Sequence, residues 1–209
     1  MHIEIGRLSG EDDDTAEQVV ADCLRVLGDV RASVEDWPGM QARFRFDDPI
    51  RELPAADIDA TRQAAREGKA VHVFFCGFYG QLRHWMGMEN LSLAFYDQPD
   101  LVHTLVEHWA ELCARQFERL PADVPVDVVS WWEDMAGRNG PLCSPAQFRE
   151  FLQPGYHRVM EVARRHGCRL SIVDSDGNPH AIIRNWFEEG VNIMFPVEVA
   201  AGCDPYRSE

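Results

Sequence analysis

The sequence lacks the features that mark secreted, membrane-spanning and nucleic-acid-binding proteins. Its N-terminus has no basic segment followed by an apolar run, and no uninterrupted apolar stretch reaches the ~20 residues that span a bilayer. Lys and Arg number 20 against 35 Asp and Glu, and no Lys/Arg block offsets the formal net charge of -15 locally. Because such a field repels phosphate groups, neither nucleic acid nor an anionic membrane is an expected partner.

Composition and cysteine spacing indicate an ordinary globular protein with reduced thiols. The chain is 45% hydrophobic and 26% charged, which is typical of a folded domain that needs no disulfide to hold it together. Its six cysteines form no Cys-x-x-Cys pair and no short repeated spacing. This pattern favours free thiols in a reducing compartment, so the cytoplasm is the expected location.

Short apolar runs that alternate with helical patterns predict a parallel α/β sheet. The run 70–76 is nearly continuous and stops at Gly77, as expected for a strand that is buried on both faces. The other predicted strands are 126–132, 168–173 and 191–195. Helices are predicted over 57–68, 79–86, 91–97, 99–120, 144–166 (interrupted at Pro154) and 180–189. This alternation is typical of βαβ units.

The first 54 residues carry a different pattern from the rest. Apolar residues at helical spacing occupy 12–28, and three prolines among charged residues then indicate an irregular connector up to residue 54. We therefore predict an N-terminal helical and irregular segment over 1–54 and a sheet-forming region over 55–209. Four clear strands in 209 residues suit an open sheet or an incomplete barrel, since a closed eight-stranded barrel typically needs ~250 residues.

Acidic residues follow two of the predicted strands. Glu133 and Asp134 come after the second strand, and the run 174–178 (Asp-Ser-Asp-Gly-Asn) comes after the third. Active sites of parallel α/β proteins lie at the carboxyl ends of the strands, where crowded carboxylates bind a metal or exchange protons with a substrate. Helix capping or a salt bridge to Arg138 is the structural alternative for the first pair. Tight-turn formation is the alternative for the second.

Further candidates follow the first strand. Arg83 suits bidentate binding of a carboxylate, and His84 suits proton transfer. The aromatic residues nearby fit the lining of a pocket for a large planar ligand; they are Phe78, Tyr79, Trp85, Trp131 and Trp132. A surface arginine, a solvated histidine and core packing are the alternative interpretations of the same residues.

Several short motifs occur in a fixed order between residues 35 and 204. The first is a segment from Gly77 to Asp100 with a Gly-aromatic turn, an Arg-x-x-Met-Gly element and a helix that ends in Asp-x-Pro-Asp. The others are Trp132-Glu133-Asp134-Met135-Ala136-Gly137, the run 140–148, Phe151-Leu152-Gln153-Pro154, Asp176-Gly177-Asn178, Glu189-Gly190-Val191 and Pro196-Val197-Glu198. As an ordered set they resemble the uroporphyrinogen decarboxylase superfamily.

This resemblance implies a (β/α)8 TIM-type barrel, here incomplete with about four to five βα units and preceded by the N-terminal helical segment. It implies a cleft at the carboxyl ends of the strands. The candidate catalytic residues are Glu133, Asp134 and Asp176. The candidate substrate-binding residues are Phe78, Arg83, His84, Trp85, Asn178 and Glu198.

Three functions are open at this stage. The first is a decarboxylase-like enzyme of porphyrin biosynthesis that acts on a tetrapyrrole or related substrate without a cofactor. The second is a corrinoid-dependent methyltransferase with zinc and a corrinoid-protein partner; its usual zinc-binding His-x-Cys pair coincides with Asp174 and Asp176, which become candidate metal ligands. The third is a non-catalytic module that binds a tetrapyrrole or corrinoid, or completes a barrel. In each case an incomplete barrel predicts a homodimer or a partner chain.

Overall fold

The computed structural model describes residues 2–4, as a strand, and residues 55–204. The strands are β1 (His2–Glu4), β2 (His72–Cys76), β3 (Val128–Trp132), β4 (Ala136–Gly137), β5 (Gly140–Pro141), β6 (Leu170–Asp174) and β7 (Ile193–Phe195). The α-helices are α1 (Ala55–Arg66), α2 (Phe78–Met86), α3 (Met88–Asp97), α4 (Pro99–Glu118), α5 (Pro145–Gln147), α6 (Gln153–Arg165) and α7 (Ile183–Glu188). The predicted helix over 12–28 and the connector to residue 54 lie outside the described residues.

The main sheet has the strand order β1-β2-β3-β6-β7. Strands β2, β3, β6 and β7 are parallel and follow one another in chain order, with helices between them. A doubly wound sheet would reverse its order at a switch point, whereas sequential order is that of a (β/α) barrel. The predicted fold class, an incomplete TIM-type barrel, is confirmed. Strand β1 pairs antiparallel with β2 and was not predicted, because three residues are too short to show a period.

One face of the parallel sheet packs against the helices. Val73, Phe75, Val129, Trp131 and Val173 alternate along their strands on this face and are buried in one hydrophobic core. Helices α4 and α6 form the outer layer of that core, and α4 begins with Pro99 in its first turn. None of the described helices is long and apolar enough to cross a membrane.

Pro154 divides the helical region that was predicted over 144–166. Ser144 caps α5 in a capping box with Gln147, and a π-helical turn (Phe148–Leu152) follows. Helix α6 then begins with Pro154 in its first turn, where a missing N–H costs nothing. The wider π turn therefore absorbs the break that proline imposes on a continuous helix.

The opposite face of the sheet corresponds to the interior of a barrel, and we call it the interior face. Its outermost row, at the carboxyl ends of the strands, pairs Cys76 with Trp132, Trp132 with Asp174 and Asp174 with Phe195. The row beneath it contains Phe74, Ser130, Ile172 and Ile193. Large apolar side chains of this face are exposed, including Phe74 at 38% and Phe195 at 60%.

Candidate functional site

The acidic strand ends predicted from the sequence lie side by side. The carbonyl oxygen of Asp174 accepts hydrogen bonds from the backbone N–H groups of Glu133 and Asp134, at 2.9 and 3.2 Å. Backbone hydrogen bonds alone therefore join the two strand ends. We call this region, which also includes Arg83 and Trp132, the mouth.

Asp134 and Arg83 form the ion pair of the mouth. The Arg83 guanidinium donates to the Asp134 carbonyl oxygen at 2.6 Å and to its carboxylate at 3.3 Å. Asp134 has a φ of 44°, a left-handed conformation that is uncommon outside glycine and clusters at functional sites. The guanidinium carbon of Arg83 also lies 4.9 Å from the ring centroid of Trp132, and the His84 ring stacks on Trp132 at 5.1 Å.

The carboxylates of Asp174 and Asp176 are open to a ligand. Among the described residues neither side chain has a hydrogen-bonding partner, and Asp176 is exposed. Burial, followed by the nearby charges of Asp176 and Asp134, raises the pKa of Asp174 above its usual range. A carboxyl group of this kind holds a proton more readily than an isolated aspartate, which suits proton transfer.

Glu133 lies beneath the mouth and is fully buried. Its carboxylate accepts hydrogen bonds from the backbone N–H groups of Phe78 at 2.9 Å and Gly80 at 2.7 Å, and from the hydroxyl of Tyr156. Burial raises the pKa of Glu133 to about 7, although all three donors favour the charged form. The catalytic role predicted for Glu133 needs contact with a ligand, and its buried carboxylate is occupied by α2 and Tyr156 instead.

Two glycines make this close approach of α2 to β3 possible. A Cβ atom on Gly77 would lie 2.1 Å from Cδ of Glu133, and one on Gly80 would lie 2.5 Å from the carbonyl oxygen of Trp132. Both distances are far below van der Waals contact. Any larger residue at either position would push α2 away from the strand end.

Phe78 and Trp85 do not line the mouth, contrary to the prediction. Phe78 is fully buried, with its ring 4.8 Å from Tyr156 and 5.8 Å from Trp131. Trp85 is buried in an edge-on contact with Trp109, at 5.9 Å. Both side chains stabilise the core behind α2, because they occupy the face of the helix that points away from the mouth.

Asn178 and Glu198, predicted to bind substrate, hold the loop after β6 in place. The Glu198 carboxylate accepts a hydrogen bond from the N–H of Gly177 at 2.9 Å. The Asn178 side chain donates to the carbonyl oxygen of Ala201 at 3.3 Å and accepts from the N–H of His180 at 3.2 Å. These contacts fix the loop that carries Asp176.

Two further groups take part in the site without having been predicted. Tyr156, from α6, donates to Glu133 and accepts a hydrogen bond from Trp186 Nε1 at 3.1 Å. Cys76 lies beside His84, with 3.8 Å between Sγ and Nδ1. Burial raises the pKa of Cys76 to about 12, so its thiol stays protonated. No local sequence signal marks Tyr156, because its role depends on the packing of α6 against a distant strand.

Zinc, which the methyltransferase hypothesis implies, requires three or more protein ligands. Within the part of the chain that the structure describes, no group of three or more His, Cys, Asp or Glu side chains is placed to hold a metal ion. Asp174 and Asp176 find no third ligand there. The described residues therefore do not fit a zinc site.

Comparison with known proteins supports the family likeness. No protein-family model matches the chain. Uroporphyrinogen decarboxylases from Prochlorococcus marinus strains MIT 9303 and MIT 9313 are each 27% identical to it over 111 residues, which is 52% of this chain and 30% of the relative. The predicted resemblance is confirmed. The chain thus spans about a third of the length of these relatives.

A solved structure agrees at the level of the fold. A methyltransferase from Methanosarcina mazei matches with a TM-score of 0.50 and 14% sequence identity, covering 64% of this chain and 39% of that chain. At this identity the likeness concerns the fold alone. It is consistent with a sheet that contains part of a (β/α) barrel.

Proposed function

We propose that the chain provides the acidic half of the active site in a decarboxylase-like enzyme that acts on a tetrapyrrole or a related substrate. The observation that carries this proposal is the group of three carboxylates at adjacent strand ends beside Arg83. The sequence similarity to uroporphyrinogen decarboxylases supports the choice of reaction.

Loss of CO2 from a carboxylate leaves an electron pair on carbon, which needs an electron sink and finally a proton. In a pyrrole-bearing substrate, protonation of the ring gives a cationic sink, and the C–C bond breaks as CO2 leaves. A second proton then completes the methyl group, and the ring returns the first proton to the carboxylate that gave it, so one proton is consumed for each CO2 released. Asp174, whose pKa is raised, is the proposed proton donor, and Asp134 and Asp176 stabilise the transient positive charge. No cofactor is needed for these steps.

Arg83 has a separate role in this proposal. Its guanidinium contacts both the Asp134 carboxylate and the Trp132 ring. We propose that it binds a carboxylate that stays on the substrate, and that His84 and Trp132 provide a flat aromatic surface for a ring of the ligand.

The test is a measurement of CO2 release from uroporphyrinogen by the purified chain and its variants. Asp174→Asn and Asp176→Asn are each expected to lower the rate by about 100-fold or more, as loss of an acid–base group does. The control is Asp123→Asn, an exposed residue paired with Arg62 far from the mouth, which is expected to keep full activity. Equal rates in all three variants would show that the mouth is not the reaction site.

Methyl transfer is the competing outcome. It would be indicated if the chain releases no CO2 but transfers the methyl group of methylcobalamin to an added thiol. That result would contradict the decarboxylase proposal, and the loss of this activity in Asp174→Asn would still assign the reaction to the mouth.

The interior face carries exposed apolar side chains. We propose that a second copy of the chain covers it, or failing that a partner chain that completes the barrel, because large apolar residues on a sheet face are normally buried. Phe74, Ile193 and Phe195 are the exposed residues that such a partner would cover.

A further inference from the structure

Glu133 and Asp134 bind the same helix at two places. The Glu133 carboxylate accepts hydrogen bonds from the N–H groups of Phe78 and Gly80, in the first turn of α2. The next residue, Asp134, holds Arg83 in the last turn of that helix, through its carbonyl oxygen and its carboxylate. Two consecutive residues therefore fix both ends of α2.

Helix α2 depends on Glu133 because its own sequence supplies no cap. Its N-cap residue is Gly77, which has no side chain to accept a hydrogen bond, and its first turn contains no acidic residue. A carboxyl oxygen that accepts first-turn N–H groups satisfies donors that lack an intrahelical partner. The carboxylate of Glu133, which follows β3, provides this from outside the helix.

The orientation of α2 in turn sets the geometry of the mouth. Arg83 and His84 lie in its last turn, and both contact the Trp132 ring. Trp132 immediately precedes Glu133 in the chain, and the Gly77 N–H donates to its carbonyl oxygen at 2.7 Å. A small tilt of a nine-residue helix would separate both side chains from the ring.

We infer that Glu133 is a positioning residue, which together with Asp134 holds α2 so that Arg83 and His84 lie against Trp132. The inference rests on the proposed function for the importance of the mouth, but the geometry that it concerns is measurable without a substrate. It assigns the two acidic neighbours different tasks: Glu133 orders the site from beneath, and Asp134 belongs to its surface.

The first test uses His84 as a reporter. Burial, followed by the charge of Arg83, holds the pKa of His84 below its usual range. When α2 loosens, His84 leaves the Trp132 ring and becomes more solvated, so Glu133→Ala and Glu133→Asp, which remove or withdraw the acceptor oxygens, are expected to raise this pKa. It is measured by NMR titration of the imidazole resonances, and Arg83→Met is the positive control, expected to raise the pKa through loss of the charge.

The matched control is Glu189→Ala. Glu189 is also buried and also accepts hydrogen bonds, from Gln153 at 2.7 Å and from His157 at 3.0 Å, but within the described residues no hydrogen bond joins it to α2. This variant is expected to leave the pKa of His84 unchanged. A folded Glu133 variant in which His84 titrates as in the wild type would overturn the inference.

The second test approaches α2 from the other end and does not depend on the folding of the Glu133 variants. Asp134→Asn keeps a residue that tolerates the left-handed conformation and removes the charge that holds Arg83. The amides of Phe78 and Gly80 are expected to exchange at least tenfold faster, while those of α6 are unaffected; unchanged exchange would overturn the inference. Neither test involves turnover, so the failure of the proposed reaction and the failure of this inference are distinguishable.

Discussion

Glu133 and Asp134 are adjacent in the chain, yet their carboxylates lie in different environments. Glu133 is fully buried against the start of α2, whereas Asp134 is half-exposed and pairs with Arg83. The positive φ of Asp134 ends the regular alternation of β3 and turns the backbone toward the mouth. Neighbouring carboxyl groups placed in such different surroundings have different uses.

The buried carboxyl of Glu133 predicts a pH dependence of stability. An unfolded glutamate titrates at ~4.3, whereas in the fold burial raises the pKa of Glu133 to about 7. The unfolded chain thus loses this proton first, and the free energy of unfolding falls as the pH rises from about 4 to about 7. Glu133→Gln has no such proton, so its stability relative to wild type is expected to improve by a few kcal/mol between pH 5 and pH 8.

The measurement is urea denaturation of both proteins across that range. Comparing the two cancels the contributions of groups whose surroundings they share, including Asp174, whose pKa is also raised, and His108, whose pKa burial lowers. A constant difference between wild type and Glu133→Gln would mean that Glu133 is ionised in the fold throughout.

At the scale of elements, the pattern of α2 contains information that the sequence interpretation used only in part. Phe78, Leu82 and Trp85 recur at helical spacing and are buried, while Arg83 and His84 fall on the other face. That periodicity separates core residues from mouth residues, so the burial of Phe78 and Trp85 was predictable from it. The contact of Glu133 with Phe78 and Gly80 was not predictable, because it joins residues more than fifty positions apart.

The strands, in contrast, were predictable because their signal is local in the sequence. Buried parallel strands are nearly continuous apolar runs, and all four runs became strands that begin two residues later than predicted. These runs also predict where the strands end, and therefore that Asp134 and Asp174 lie close together. The roles of Asn178 and Glu198 did not follow, since a polar residue near a mouth binds a loop as readily as a ligand.

The close packing of α2 on β3 predicts intolerance at Gly80. Gly80→Ala places its Cβ against the backbone oxygen of Trp132, which cannot rotate away, so we expect a loss of about 1–3 kcal/mol in the free energy of unfolding. The matched control is Gly137→Ala, because a Cβ there meets no atom within 4 Å. It is expected to change stability by less than about 0.5 kcal/mol. Equal effects in denaturant titrations would contradict the packing described for α2.

At the scale of the whole molecule, the described sheet has two unlike faces. One is covered by helices and forms the core, and the other has the register of a barrel interior but exposes apolar side chains. Four parallel strands in sequential order are half of an eight-stranded barrel, and the chain covers 30% of its curated relatives. The net charge of -15 works against association at long range, so a partner must gain enough from apolar burial to overcome it.

If a second copy covers the interior face, the chain forms a dimer, and a charged substitution on that face should dissociate it. Light scattering of the 23.8 kDa chain is expected to give twice that mass, and Phe195→Asp, on the interior face, to give the monomer mass because a buried unpaired carboxylate opposes association. Phe187→Asp is the matched control: Phe187 is 68% exposed, but it lies on the outer helix α7, so this variant should remain dimeric. High salt should strengthen the wild-type dimer, since screening weakens the repulsion between two acidic chains. A wild-type monomer at every salt concentration would exclude the second copy and leave a partner chain as the cover for this face.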